Sequence, residues 1–177
     1  KIPSGEVSNV WLVEEVAATQ LPVIASTGMS TIQEIDAMVS TITRHTTNLI
    51  LLHCTSEYPT MLKDLNLRMI PFMANRFGCA VGLSDHSRQI DYIAGSVALG
   101  AKMIEVHFTH DRKDVGPDHH ISLEQRELKK LVESVRNWEN VLGSDEKKLG
   151  EHVADMRNTF TNSIVSRQNI DAGEIFS

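Results

Sequence analysis

Gly78-Cys-Ala-Val-Gly-Leu-Ser-Asp-His86 is the stretch that decides the fold. Its middle, Cys79 to Leu83, is a near-continuous apolar run that ends abruptly in Ser84, Asp85 and His86. Such a run suits a strand covered on both faces, as in a parallel sheet, rather than the alternating pattern of a half-solvated strand. Gly78 is placed to stop a preceding helix over about Leu65 to Phe77. Outward from this unit the same order repeats. Upstream, Pro22 to Ser26 and Leu49 to Leu52 are apolar runs that end in Thr27-Gly28 and in a polar loop through Pro59; downstream, Lys102 to Phe108 is a fourth.

Helices fill the intervals. Thr31 and Glu34 have the spacing of a capping box, and Ile32, Ile35, Met38, Val39 and Ile42 then recur on one helical face. Ile90 to Leu99 reads as a helix rich in small residues, and Ser122 with Gln125 as the cap of another running to about Leu142. Strand ends every ~20–35 residues match the size of a βα unit, so the class is α/β. A TIM barrel is the leading architecture, ahead of a flavodoxin-like or Rossmann sheet, because no Gly-rich dinucleotide fingerprint follows any strand. Four strands do not close a barrel, and both ends look cut: Lys1 opens on a strand-to-loop transition and Ser163 to Ser177 reads as a new strand and turn. The expected organisation is a partial barrel domain over 1–142, a linker over 143–159 and the start of a second domain over 160–177.

Composition narrows the function classes. At 177 residues and 41% hydrophobic content the chain is long and apolar enough for a packed core. A formal charge of −6 disfavours nucleic acid and anionic membrane surfaces as partners, yet leaves room for a small anionic substrate held by a few local donors. Cys54 and Cys79 lie in apolar runs and read as buried thiols, which favours a reducing, cytoplasmic setting. No stretch approaches the ~20 apolar residues of a membrane span.

Parallel α/β folds place their ligands at the carboxyl ends of the strands, where this chain carries its polar residues. Side chains two apart on a strand share a face, which groups Gly82 with Ser84 and His86, Glu105 with His107, and Cys54 with Ser56 and Tyr58; His53 faces the other way. Two imidazoles on successive strand ends suit a shared divalent metal with open positions for water and substrate. Hydrogen-bonded structural histidines are the alternative. Lys1 and Ser4 form a candidate phosphate hold, and Glu6 and Asp118 are candidate acid–base groups, against the plainer reading of solvated side chains. Trp11 and Trp138 fall on helices and are expected in the core or an interface; His45, His110 and His152 read as surface residues.

Six blocks carry a family resemblance: Lys1-Ile-Pro-Ser-Gly-Glu6, Ser26-Thr-Gly-Met29, His53-Cys-Thr-Ser-Glu-Tyr-Pro59, Gly82-Leu-Ser-Asp-His86, Ile104-Glu-Val-His-Phe-Thr109, and Gly116-Pro-Asp-His119 followed by Ser122-Leu-Glu124. In order and spacing they resemble the sialic acid synthases, a family that includes legionaminic and pseudaminic acid synthases and spore-coat polysaccharide homologues. The resemblance implies the C-terminal part of a TIM (β/α)8 barrel entered near the end of its fourth strand. It also implies the start of a small antifreeze-like (SAF) domain at Asn169-Ile-Asp-Ala-Gly-Glu174, one that swaps across a homodimer.

The implied reaction condenses phosphoenolpyruvate with an N-acyl hexosamine, N-acetylmannosamine in the first instance. His86 and His107 match the metal ligands, usually for Mn2+, with Mg2+ and Co2+ as alternatives. Lys1, Ser4, Ser56 and Ser84 match positions that contact phosphoenolpyruvate, and Ser26 and Tyr58 lie in the same pocket. Glu6 matches a carboxylate near the reacting carbons, and Asp118 one that binds the acceptor sugar. Two positions depart from the common pattern. Ser56 stands where many relatives have asparagine, and Val106 where lysine is common; alternation turns Val106 away from the site. The competing readings are another acceptor sugar, giving a legionaminic or pseudaminic acid synthase, a metal-dependent aldolase or sugar isomerase, and a catalytically silent barrel used as a binding module.

Overall fold

The computed structural model describes residues 1–175, so the last two residues of the expected 160–177 domain lie outside the described residues. The chain divides into two units, Lys1–Gly143 and a second beginning at Ser144. In the first, strands and helices alternate: α1 (Val10–Ala18), β1 (Val23–Ser26), α2 (Ile32–Thr43), β2 (Leu49–Cys54), α3 (Met69–Phe77), β3 (Ala80–Asp85), α4 (Ile90–Gly95), β4 (Ile104–Val106) and α5 (Gln125–Leu142).

The four strands form one parallel sheet in the order β1-β2-β3-β4. Sequential order separates the architectures. A doubly wound sheet reverses direction at a switch point, whereas a singly wound one keeps adding strands on the same side, as half of a (β/α)8 barrel does. At the outer edge of β1, Ile2 makes a further parallel bridge to Ala25, its N–H donating to the Ile24 carbonyl at 2.8 Å.

Burial follows from this layering. Every residue of β2 except Ile50 is buried, and every residue of β3 except its first. Helix faces close the core: Ile35, Met38, Val39 and Ile42 of α2 and Ile70 and Met73 of α3 pack with Leu51, Val81 and Leu83. The capping box at Thr31 is formed, with the Thr31 N–H donating to Glu34 Oε2 at 2.7 Å.

Several boundaries differ from expectation. α3 begins at Met69 rather than near Leu65, because Asn66 takes a left-handed conformation (φ 43°) that no helix interior accepts. Gly78, at φ 63°, ends it as expected. The helix expected over Ile90–Leu99 is α-helical only to Gly95 and then tightens into a 3₁₀ turn, Ser96–Leu99. The cap of α5 is Glu124 and not Ser122. The Ser122 hydroxyl donates instead to the Asp118 carbonyl at 2.7 Å, while Glu127 accepts the Glu124 N–H at 2.9 Å.

Trp138 packs against the core, but Trp11 is 85% exposed. Val13 and Ala17 face inward from α1, and two helical positions separate Trp11 from Val13 by about 200°. In the second unit a 3₁₀ turn, Glu151–Val153, and α6 (Ala154–Phe160) occupy the segment expected to be a linker. A turn forms near Gly173, but no strand is present among the described residues from 161 onward, since none of them finds a ladder partner. Among the described residues no helix is long and apolar enough to cross a membrane.

His53, turned away from the strand ends as parity requires, is buried and donates from Nε2 to the Leu65 carbonyl at 2.8 Å. Burial lowers its pKa, and the Leu65 hydrogen bond only partly offsets this. The folded state therefore resists a proton that the unfolded chain accepts below the ordinary imidazole pKa of about 6.5. Stability is fully present above that pH and falls as pH drops through it, with a slope of at most about 1.4 kcal/mol per pH unit. Denaturant unfolding between pH 7.5 and 5 should show a shallower loss for His53→Gln than for the unsubstituted protein. Equal slopes would remove His53 as the cause.

Candidate active site

The carboxyl ends of β1–β4 and the segment Lys1–Ser4 surround a cavity of about 350 Å³. Seven of the ten residues singled out from sequence line it: Lys1, Ser4, Ser26, Tyr58, Ser84, His86 and His107. Ser56 stands beside them, its hydroxyl 3.4 Å from that of Ser4. Thr27-Gly28 approaches this group so closely that a Cβ on Gly28 would meet Ser56 Oγ at 2.5 Å and Cys54 Sγ at 2.7 Å.

The other two carboxylates are placed differently. Glu6 sits on a 3₁₀ turn, Ser4–Glu6, where its Oε2 accepts from Asn9 Nδ2 at 2.7 Å, and it is not among the lining residues. Asp118 reaches His107 from the long loop after β4, Oδ2 lying 3.9 Å from Nδ1. That loop is closed at its base by a parallel bridge between Phe108 and Leu123, and Thr109 Oγ1 lies 2.7 Å from His119 Nδ1 inside it. Val106, expected to face away, packs against the core, and the strand end also brings it to the cavity rim.

His86 and His107 are the centre of the arrangement. Their ring centroids are 5.2 Å apart, and Tyr58 lies 4.2 Å from His86 and edge-on to His107 at 6.1 Å. His86 Nδ1 is 3.0 Å from the Thr55 carbonyl. A carbonyl only accepts, so Nδ1 carries the proton and Nε2 keeps its lone pair. This donor set fits a divalent cation. A ring centroid lies roughly 3 Å from an ion bonded at ~2.1 Å, so centroids at this separation can straddle one ion. Among the described residues no cluster of three or more His, Cys, Asp or Glu is poised to hold a metal, so any ion here would keep positions open for water and substrate.

Electrostatics differ between the two rings. For His86, burial works to lower the pKa, but Cys54, the Thr55 carbonyl and Asp85 together raise it. For His107, burial and the neighbouring His86 lower it against the pull of Asp118 and Glu105. Burial raises the Tyr58 hydroxyl and also the Asp85 carboxyl, the latter despite donors from Ser87 and Arg88.

Two further features were not singled out as site residues. Glu105 accepts from Lys1 Nζ at 3.0 Å and from Ser84 Oγ at 2.7 Å, and burial, which favours its neutral form, is outweighed by these donors. Parity had grouped Glu105 with His107, which was the available signal. Cys54 lines the cavity with its Sγ 3.9 Å from His86 Nδ1. Among the described residues, Ser26 Oγ is the one buried side-chain oxygen or nitrogen left without a hydrogen-bond partner. A native fold seldom leaves such a hydroxyl dry, so its place on the cavity wall points to a ligand or water.

The sequence profile of the NeuB family matches residues 1–147. The chain is 41% identical to the N,N′-diacetyllegionaminic acid synthase of Legionella pneumophila, over 98% of this chain and 50% of that protein. It is 38% identical to the protein of the same name from Campylobacter jejuni, over 100% of this chain and 54% of that protein. Among solved structures, the N-acetylneuraminic acid (sialic acid) synthetase of Leptospira borgpetersenii, in complex with citrate, superposes with a TM-score of 0.82 at 35% identity. That match covers 90% of this chain and 57% of that one. The chain thus spans about half the length of the curated relatives it matches.

Proposed function

Because the chain belongs to the NeuB family of nonulosonic acid synthases, we propose that the protein it forms part of condenses phosphoenolpyruvate with an open-chain N-acyl hexosamine, in the first instance N-acetylmannosamine. Carbon 3 of phosphoenolpyruvate forms a bond to the acceptor's aldehyde carbon. Water adds at the cationic carbon 2, and the tetrahedral intermediate expels inorganic phosphate by C–O cleavage. The observation that carries this reading is the meeting, in one cavity, of a paired imidazole site and a lysine–serine cradle.

Within that reading each group has a role. Lys1, Ser4, Ser56 and Ser84 hold the phosphate, the lysine as a point charge and the serines as neutral donors. Ser26, with its free hydroxyl, and Tyr58 complete the pocket wall. His86 and His107 would hold a divalent cation, Mn2+ before Mg2+ or Co2+, which when bound would supply Lewis-acid polarisation of the acceptor oxygen. Asp118, at the rim beside His107, orients the sugar hydroxyls. Glu6 stabilises positive charge at carbon 2 or takes the proton of the added water, once its carboxylate exchanges Asn9 for the substrate. The apolar strands behind the pocket exclude bulk water and strengthen these contacts. The same reading takes the segment from Phe160 as the start of an antifreeze-like domain and the full-length protein as a cytoplasmic homodimer.

A second reading changes only the acceptor. The two relatives just described are named for N,N′-diacetyllegionaminic acid, which favours a diacetamido hexose in place of N-acetylmannosamine. One assay tests both: phosphate release by the full-length protein with phosphoenolpyruvate, Mn2+ and a panel of N-acyl hexosamines. The expected result is release that requires both the metal and one acceptor, whose identity chooses between the readings. No release with any sugar, from a folded protein that binds Mn2+, would favour an aldolase, an isomerase or a silent barrel instead.

A further inference from the structure

Glu105 occupies the place where two of the proposed phosphate donors converge. β3 and β4 pair with Ser84 opposite Glu105, and Lys1 comes to the same point from 104 residues away in sequence. Both donors use one oxygen: Lys1 Nζ lies 3.0 Å and Ser84 Oγ 2.7 Å from Oε1. The Lys1 and Glu105 side chains are 35% and 39% exposed, so the pair stands on the cavity wall. An anionic oxygen that accepts from a lysine and a serine is what a bound phosphoryl oxygen presents to the same two groups.

We propose that Glu105 is an internal stand-in for the substrate phosphate, which holds Lys1 and Ser84 in position in the free protein and is displaced from both when phosphate enters. This rests on the phosphoenolpyruvate reading above and deepens it. Two consequences follow from charge alone. Lys1 and Ser84 are preorganised before substrate arrives, which spares ordering cost at binding. A phosphate that takes over these donors lies beside a carboxylate it repels, so Glu105 limits retention of free phosphate, the product of the reaction.

The test is binding of inorganic phosphate and of phosphoenolpyruvate to the full-length protein, measured by titration calorimetry. Glu105→Gln keeps an acceptor oxygen and removes the charge, and it should bind inorganic phosphate about tenfold more tightly. Glu105→Asp keeps the charge and should show no such gain. Damage to the fold does not produce tighter binding, so the sign separates this role from a structural one. Unchanged or weaker phosphate binding by Glu105→Gln, with phosphoenolpyruvate still bound by the unsubstituted protein, overturns the stand-in role alone. Failure of the unsubstituted protein to bind phosphoenolpyruvate at all overturns the substrate reading and this inference together.

Discussion

Replacing His107 with alanine in the full-length protein is expected to lower turnover at least about 1,000-fold, a loss of roughly 4 kcal/mol of transition-state stabilisation. The expected loss is large because, in the proposed function, this position supplies one of the two imidazoles that would hold the metal, and a single remaining protein ligand would hold it poorly. The fold should survive. The His107 side chain is one-third exposed, and its nearest charged partner, Asp118, is 3.9 Å away. Truncation therefore leaves no buried group unsatisfied, and the unfolding free energy should change by about 0.5 kcal/mol or less. His86 is a poorer choice for this experiment, since it is buried and bonded to the Thr55 carbonyl, so removing it disturbs the strand end as well. Three measurements on the His107 variant belong together: Mn2+ affinity, phosphate release and thermal midpoint. Full activity, or undiminished Mn2+ binding, would end the assignment of His107 as a ligand.

Gly82→Ala is expected to destabilise the protein by about 3 kcal/mol or more. Gly82 is at the centre of β3, where a Cβ would run into the Met103 backbone carbonyl and would meet Leu52 Cδ2 at 2.8 Å. The carbonyl cannot retreat cheaply, because it accepts the Leu83 N–H at 2.9 Å as part of the β3–β4 junction. Separation of these strands would also part Ser84 and His86 from Glu105 and His107, so activity should fall with stability. For a domain of this size the loss corresponds to a drop of about 6–12 °C in Tm. Gly95→Ala is the internal control: its Cβ meets nothing within 4 Å, and the residue is helical. A Tm for Gly82→Ala within about 2 °C of the unsubstituted protein would contradict the close strand packing.

Much of this architecture was legible from local pattern. The apolar runs located β1–β4 to within a few residues, and the polar tips marked the end of the sheet where the cavity forms. Strand parity placed Ser84 with His86 and Glu105 with His107, and turned His53 inward toward the Leu65 carbonyl. Misplaced boundaries have local causes that compete with hydrophobic period. Asn66 in the left-handed region delays α3, and Ser122 spends its hydroxyl on Asp118, leaving the cap of α5 to Glu124. Of the two places expected for Trp11, core or interface, the core is ruled out, because its angle around α1 relative to Val13 leaves it exposed.

Alternation and composition, being properties of neighbours along the chain, thus established a parallel α/β sheet with its candidate site residues at one end. They brought the two histidines to neighbouring strand ends but did not set the register or the distances across the cavity. The sequential strand order, the register that sets Ser84 opposite Glu105, the approach of Lys1 to the same carboxylate and the 5.2 Å spacing of the two imidazoles all depend on contacts between distant segments. Those contacts are settled when helices and strands pack to fill a common core, a condition that no window of neighbouring residues can express.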